Sequence, residues 1–414
     1  MTESWDIIVV GGGAAGFFAA IRVAELQPDW KVLILERGKE VLSKVRISGG
    51  GRCNLTHACF EPKELVKFYP RGQKELRGPF HRFCSGDTVD WFEKRGVETK
   101  IEADGRMFPA SDSSQSIINA LYSSVRQAGI EVRTQTNVQG ITPPENASAP
   151  WILRSKETEF STPRLLLATG SNPRMWQMLG DIGLKMVDPV PSLFTFNIKD
   201  ARLQDLPGLS VPNASLRIPT TKLSSNGPLL ITHWGLSGPG ILKLSAWGAR
   251  ELNDKDYKFE LWVNWLGTIN REDAANQIQN CVHEWAKKTV LKANPFGLAS
   301  RLWQRLASYA GVTEGMKWSD LPKGVRKSLL TELCEGRYQV DGKSTFKEEF
   351  VTAGGVSLKE INFKSFSAKR FERLWLAGEM LNIDAVTGGF NFQAAWTGGW
   401  IAGESMSETI LETV

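Results

Sequence analysis

The sequence predicts an α/β fold: a parallel, Rossmann-like sheet assembled from both ends of the chain, interrupted by a β-rich and then a helical insertion. Three observations carry this. Continuous apolar runs, DIIVV (6–10), KVLILE (31–36), LLLATG (165–170) and RLWLAG (373–378), read as strands buried on both faces. The first runs into a glycine-rich turn and then AAGFFAAIRVAEL, a proline-free stretch of helical composition. Between the third run and the fourth the pattern changes, first to short segments broken by Pro, Gly and Asn, then to helical periodicity.

The remaining elements follow in order. Residues 113–128 read as a helix with Ile117, Leu121 and Val125 on one stripe, and GIEVRTQTNVQGI (129–141) as hairpin-like strands. TPPENASAP (142–150) is a surface turn. Short strands fill 189–266. Asn270 then caps a helix expected to bury Ile278, Cys281, Val282 and Trp285, and a later helix is expected to bury Leu298, Leu302, Leu306 and Tyr309. The expected division is residues 1–188 plus 350–414 as one discontinuous domain, 189–268 as a β-rich insertion and 269–349 as a mainly helical one.

A chain of 414 residues with 42% apolar and 23% charged residues has the composition of folded domains, which excludes disorder, collagen and coiled coil. The formal charge of +5 is concentrated, because Lys44 to Arg82 holds nine Lys/Arg against three Asp/Glu. Cys53, Cys59, Cys84, Cys281 and Cys334 contain no CxxC pair, so neither a disulfide framework nor a metal site is expected, and a reducing cytoplasm fits. The start, MTESW, has no export signal, and no uncharged apolar run reaches the roughly 18 residues of a membrane span.

Gly11, Gly13 and Gly16 fit G-x-G-x-x-G between a strand and a helix, with Glu36 closing the next strand. The first glycine permits the turn, the second lets a pyrophosphate approach backbone N–H groups, and the third lets helix and strand pack closely. Glu36 is placed for ribose hydroxyls, which disfavours a 2′-phosphate and leaves the ADP moiety of FAD or NAD. FAD, being long, needs a second contact near the flavin. Gly378-Glu379, a polar loop and Gly388-Gly389 opening a helix at the C-terminal end supply one, and that helix start would face the flavin pyrimidine edge. An NAD-dependent dehydrogenase without flavin is the alternative.

SGGGRCNLTH (48–57), GRMFP (105–109), LLLATG, LLITHWGLSGPGILKLS (229–245), TAGGV (352–356) and AGEMLNIDAVTGGFNFQAAW (377–396) occur in this order. Together they resemble the BaiN/YhiN-like family of NAD(P)/FAD-dependent flavoprotein oxidoreductases over nearly the whole chain. The chain resembles a divergent subgroup: SNPRMWQMLGDIG follows LLLATG, and Asn382 stands where an Asp is usual. The resemblance implies the two-dinucleotide-binding-domain flavoprotein fold, with a Rossmann-like FAD-binding domain, a β-barrel-like insertion and a helical insertion. It places the FAD contacts on Gly11, Gly13, Ala15, Gly16, Glu36, Arg37, Arg46, Ser48, Gly49, Gly50, Gly51, Arg52 and Cys53. Further contacts fall on Val138 by its backbone, Ala168, Thr169, Gly170, Gly378, Glu379, Asp384, Gly388, Gly389, Phe390, Asn391 and Phe392. Arg46 or Arg52 can neutralise phosphate beside the three glycines.

No second G-x-G-x-x-G followed by a strand and acid is present, so NAD(P)H is expected only as a transient co-substrate. Cys53 and Cys59 enclose five residues where flavin disulfide reductases have four, which weakens a redox pair. A hydroxylase is a further alternative, although Gly378-Glu379 replaces its usual Gly-Asp. Hydride delivery to an activated C=C bond of a planar small molecule or nucleobase remains, as the family resemblance also implies through steroid-like acids and a uracil of ribosomal RNA. Cys53 and His233 are the candidate proton donors, with His57 behind them. The segment 67–83 interleaves Arg71, Lys74, Arg77 and Arg82 with Phe68, Tyr69, Phe80 and Phe83, a composition suited to RNA or to a solvated face over core aromatics. Trp234, Trp396 and Trp400 are expected to shape an apolar pocket.

Overall fold

The computed structural model describes residues 2–146, 148–344 and 351–409. Two compact units divide the chain, Met1–Val190 with Val351–Val414, and Pro191–Phe350.

In the first unit the four apolar runs become β1 (Ile7–Val10), β2 (Val32–Leu35), β4 (Leu165–Leu167) and β5 (Leu374–Leu376), and Glu131–Arg133 adds β3. They lie parallel in the order β5-β4-β1-β2-β3, and Ser367–Ala368 and Ile361–Asn362 extend the β5 edge antiparallel. Every residue of β1, β2, β4 and β5 is buried, which is why these strands show no polar alternation. Helix α1 (Ala14–Leu26) packs backbone to backbone on α2 (Phe390–Glu408). A side chain on Gly399 would stand 2.5 Å from Ala15 O, and one on Gly403 2.9 Å from Ala19 O, so only glycine allows this approach.

The stretch 129–141 is not a hairpin. Glu131–Arg133 joins the parallel sheet beside β2, while Gly140–Thr142 pairs with Trp151–Arg154 in a separate four-stranded sheet. The chain after β3 stays tied to the end of β2, since Gln135 N–H donates to Gly38 O (2.8 Å) and Thr136 N–H to Glu36 O (2.8 Å), so it cannot turn back on itself.

The second unit has a seven-stranded antiparallel sheet, ordered Gly336–Asp341, Lys258–Asn264, Ser210–Arg217, Ser224–Thr232, Gly235–Ser237, Thr195–Asn197, Lys343–Ser344. Leu216, Leu229 and Leu261 of the sheet share one core with Ile278, Leu302, Trp303 and Leu329 of the helices, so the β-rich and helical stretches form a single body. The expected boundary at 349/350 lies outside the described residues. Asn270 caps its helix by accepting from Asp273 N–H. Tyr309 departs from its expected buried stripe: it is 58% exposed, and the Arg202 guanidinium lies 4.7 Å from its ring centre. Among the described residues no helix is long and apolar enough to cross a membrane.

Candidate cofactor site

The glycines of the first turn divide by what surrounds them. Gly11 has φ +115°, and a Cβ there would lie 2.3 Å from Ala168 O; one on Gly16 would lie 2.1 Å from Gly11 O. Both are required by packing of the turn against β4 and α1. A Cβ on Gly13 meets no atom within 4 Å, so packing does not require this glycine. Ahead of it, the Glu36 carboxylate accepts from Gly12 N–H (2.9 Å) through one oxygen and from Gly38 N–H (2.7 Å) through the other. Each oxygen keeps lone-pair capacity for a ribose hydroxyl. Arg37 and Val138 line a cleft of about 380 Å³ with Asn137, Asn172 and Arg174.

The second part is a broken helix. Ser43–Gly51 leaves helical geometry at Ser48, and Gly49, Gly50 and Gly51 have φ of +58°, +69° and +86°. A Cβ on Gly50 or Gly51 would meet nothing within 4 Å, which leaves the peptide face of that loop open for a ligand's phosphates or ring. The two arginines expected to neutralise phosphate are already engaged. Arg52 pairs with Glu102 at 2.6 Å and lies over the Phe108 ring at 4.0 Å, and Arg46 bonds Gln115 at 2.9 Å with Glu40 at 3.7 Å.

The C-terminal part closes on both. Gly378 has φ +73°, and a Cβ there would come 3.3 Å from the Cβ of Ala15; Gly170, at φ +63°, lies beside the Glu379 carboxylate. Thr169 Oγ1 sits 2.8 Å from Met380 Sδ. Gly388 and Gly389, at φ +134° and +88°, open α2, and a Cβ on Gly389 would strike Thr56 O at 2.5 Å. With its amide turned to satisfy both groups, Asn54 accepts from Gly389 N–H (3.0 Å) and donates to Thr56 O (3.1 Å). Phe390 is buried against Phe68 (4.2 Å) and His57 (4.6 Å), which also touch each other, and Phe392 stacks on Trp396. The Asn391 amide is taken by Ala385 N and O. The side chains of Phe390, Asn391 and Phe392 are thus committed within the protein.

Asp384 corrects the sequence expectation. Its carboxylate is fully buried and held by two nitrogens of the Arg71 guanidinium, so it braces the loop before α2 instead of reaching a ligand. Lys44, paired with Glu379, and Tyr69, whose hydroxyl donates to Phe390 O at 2.6 Å, are further supports that the sequence does not announce. Their partners lie more than 300 positions away, and no local pattern marks them.

The HI0933-like protein Rossmann domain matches residues 5–405. The chain belongs to this family. It is an FAD-dependent oxidoreductase with the Rossmann-type FAD-binding fold. Over 418 residues it is 26% identical to the ribosomal RNA dihydrouridine synthase of Escherichia coli, covering 98% of each chain. It is 24% identical over 417 residues to the 3-dehydro-bile acid delta(4,6)-reductase of Clostridium scindens, covering 97% of this chain and 98% of the relative. The solved 3-ketosteroid-delta4-(5alpha)-dehydrogenase from Rhodococcus jostii RHA1 shares the fold, with a TM-score of 0.53 at 14% identity over 98% of this chain and 97% of that one. The open faces of Gly13, Gly50 and Gly51 and the spare acceptors of Glu36 fit the FAD this family carries.

The candidate proton donors have different settings. Cys53 follows the glycine loop at φ +61°, has no exposed surface, and burial pushes its thiol up to about 12. It and Cys59 are separate free thiols. His57 shares its Nε2 proton with Asp104 O at 3.1 Å, which fixes the tautomer; burial holds its pKa below the usual value. His233 is exposed on the two-residue turn between Ser224–Thr232 and Gly235–Ser237, in the second unit. Trp234, beside it, bonds Thr195 Oγ1 at 3.0 Å, and Trp396 is buried with its indole N–H on Leu55 O.

In the basic segment, Tyr69, Phe80 and Phe83 are buried and Phe68 is stacked on Phe390, so these rings are not a platform for bases. Arg71 is committed to Asp384, and Arg82 to Glu404. Lys74 and Arg77 are exposed.

Proposed function

We propose that this protein passes hydride from NAD(P)H through FAD to an activated C=C bond of a planar substrate. The observation that carries the reading is a pair of full-length relatives with unlike substrates. One is named a delta(4,6)-reductase of a bile acid and the other a dihydrouridine synthase of ribosomal RNA, and saturation of a ring C=C bond is what the two names have in common. FAD, when bound, supplies the hydride chemistry. The chain's own work is to hold the ADP moiety on the Gly11–Gly16 turn and Glu36, to present the first N–H groups of α2 to the pyrimidine edge, and to deliver a proton to the carbon beside the reduced one. Five free thiols accord with a reducing cytoplasm.

The purified protein is expected to be yellow, to bleach anaerobically with NADH or NADPH, and to recover colour on adding a conjugated steroid enone or a uracil-containing RNA hairpin. Recovery with oxygen alone, or a hydroxylated product, rejects the reading. Cys53, just after the glycine loop, is the proposed proton donor. Cys53→Ala is expected to slow substrate reduction by about 100-fold while bleaching by NAD(P)H stays as in the wild type. Equal turnover would remove Cys53 from the mechanism.

A second reading, in which the substrate is a uracil within structured RNA, is favoured by the Escherichia coli relative and by the exposed Lys74 and Arg77. If these two cations meet phosphates, Lys74→Ala with Arg77→Ala lowers the salt slope of RNA binding by about two. Binding no tighter than that of a neutral control protein sinks it.

A further inference from the structure

The TAGGV segment belongs neither to the nucleotide turn, nor to the glycine loop, nor to the start of α2. It forms a strand, Thr352–Val356, in which every residue is buried. Gly355, at φ +111°, has space for no side chain, because a Cβ would stand 2.5 Å from Met380 O; Asn382 N–H donates to Val356 O at 3.0 Å. The strand therefore lies directly on Gly378–Asn382, the stretch that enters the flavin half of the cradle.

Thr352 leads this strand. Its backbone N–H donates to Glu379 Oε1 at 3.1 Å, while the other oxygen of Glu379 holds Lys44 and lies beside Gly170. Thr352 is 3% exposed, and its hydroxyl has no hydrogen-bond partner among the described residues. A buried hydroxyl without a partner is costly, and valine would fill the same space without that cost. A missing partner next to a carboxylate in a ligand cradle is most simply a group of the ligand.

We propose that Thr352 is a cofactor-positioning residue: its N–H aims the Glu379 carboxylate, and its hydroxyl bonds to the polyol chain of bound FAD. The chemistry matches, since a carboxylate only accepts and a hydroxyl both donates and accepts, which together suit vicinal hydroxyl groups. The inference rests on the FAD reading of the site.

The test uses full-length Thr352→Val and Thr352→Ser, each stripped of flavin and titrated with FAD. Without cofactor, Thr352→Val is expected to melt a few degrees above the wild type, because an unpaired buried hydroxyl is gone. It is expected to bind FAD about 3- to 10-fold more weakly with a shifted visible band, and Thr352→Ser to restore affinity and spectrum. Wild-type affinity and spectrum in Thr352→Val would overturn the proposal, as would a Thr352→Ser as weak as the valine variant. A Thr352→Val chain that does not fold would mean that the hydroxyl already has a protein partner, and overturns it too. A wild type that binds no FAD refutes the cofactor reading itself, an outcome distinct from these.

Discussion

Gly13→Val is expected to leave the apoprotein folded and to remove its capacity to retain FAD. A Cβ at position 13 meets no protein atom within 4 Å, so the fold gains nothing from the glycine there. The isopropyl group would instead occupy the space through which a pyrophosphate reaches the start of α1. Affinity is expected to fall by at least about 100-fold, equivalent to about 3 kcal/mol, with an apoprotein melting temperature near that of the wild type. Gly16→Ala supplies the contrast, because its methyl would lie 2.1 Å from Gly11 O and must push α1 off the turn. That variant is expected to lose stability as well as cofactor. Released-flavin assay and apoprotein melting separate the two; a fully loaded Gly13→Val protein would refute the placement.

Arg71→Met is expected to be the most destabilising single change in the basic segment. It strips its guanidinium partner from the Asp384 carboxylate, which is fully buried, and breaking such a pair by removing one member costs about 3–5 kcal/mol. For a unit of this size a melting temperature lower by roughly 10 °C follows. The same loop opens α2, whose preceding backbone is tied to the segment by Val386 N–H donating to Phe68 O at 3.0 Å, so flavin retention is expected to weaken alongside. Arg71→Met with Asp384→Leu is expected to recover at least half of the lost stability, since no charge is then left buried. A melting temperature within a degree of wild type in the single variant would show that the pair contributes nothing.

Some of this architecture is written locally. A strand covered on both faces must be apolar at every position, so Ile7–Val10, Val32–Leu35, Leu165–Leu167 and Leu374–Leu376 stand out wherever they occur in the chain. The helix caps at Ser113 and Asn270 are equally local, because the side chain bonds an N–H two or three positions on. The hairpin expected over 129–141 failed for the opposite reason: its first half satisfies its backbone on β2, nearly a hundred residues earlier, and alternation within the segment carries no trace of that partner.

The candidate site divides in the same way. Gly11, Gly13, Gly16 and Glu36 are legible because a dinucleotide turn requires them at short, fixed spacing. Which of those glycines serves packing and which serves a ligand is visible only once Ala168 and the start of α1 are in place around them. Charge partners are likewise invisible in one dimension: Arg52 and Asp384 look available in the sequence, yet the fold gives them to Glu102 and Arg71. The amino-acid order by itself determined the buried strands and the nucleotide turn, since each needs only residue types a few positions apart, while the flavoprotein class was carried by long motifs spread over 48–396. The tertiary structure alone decided which polar groups remain free to meet a ligand, because desolvation obliges a buried charge or hydroxyl to find whatever partner three-dimensional proximity supplies.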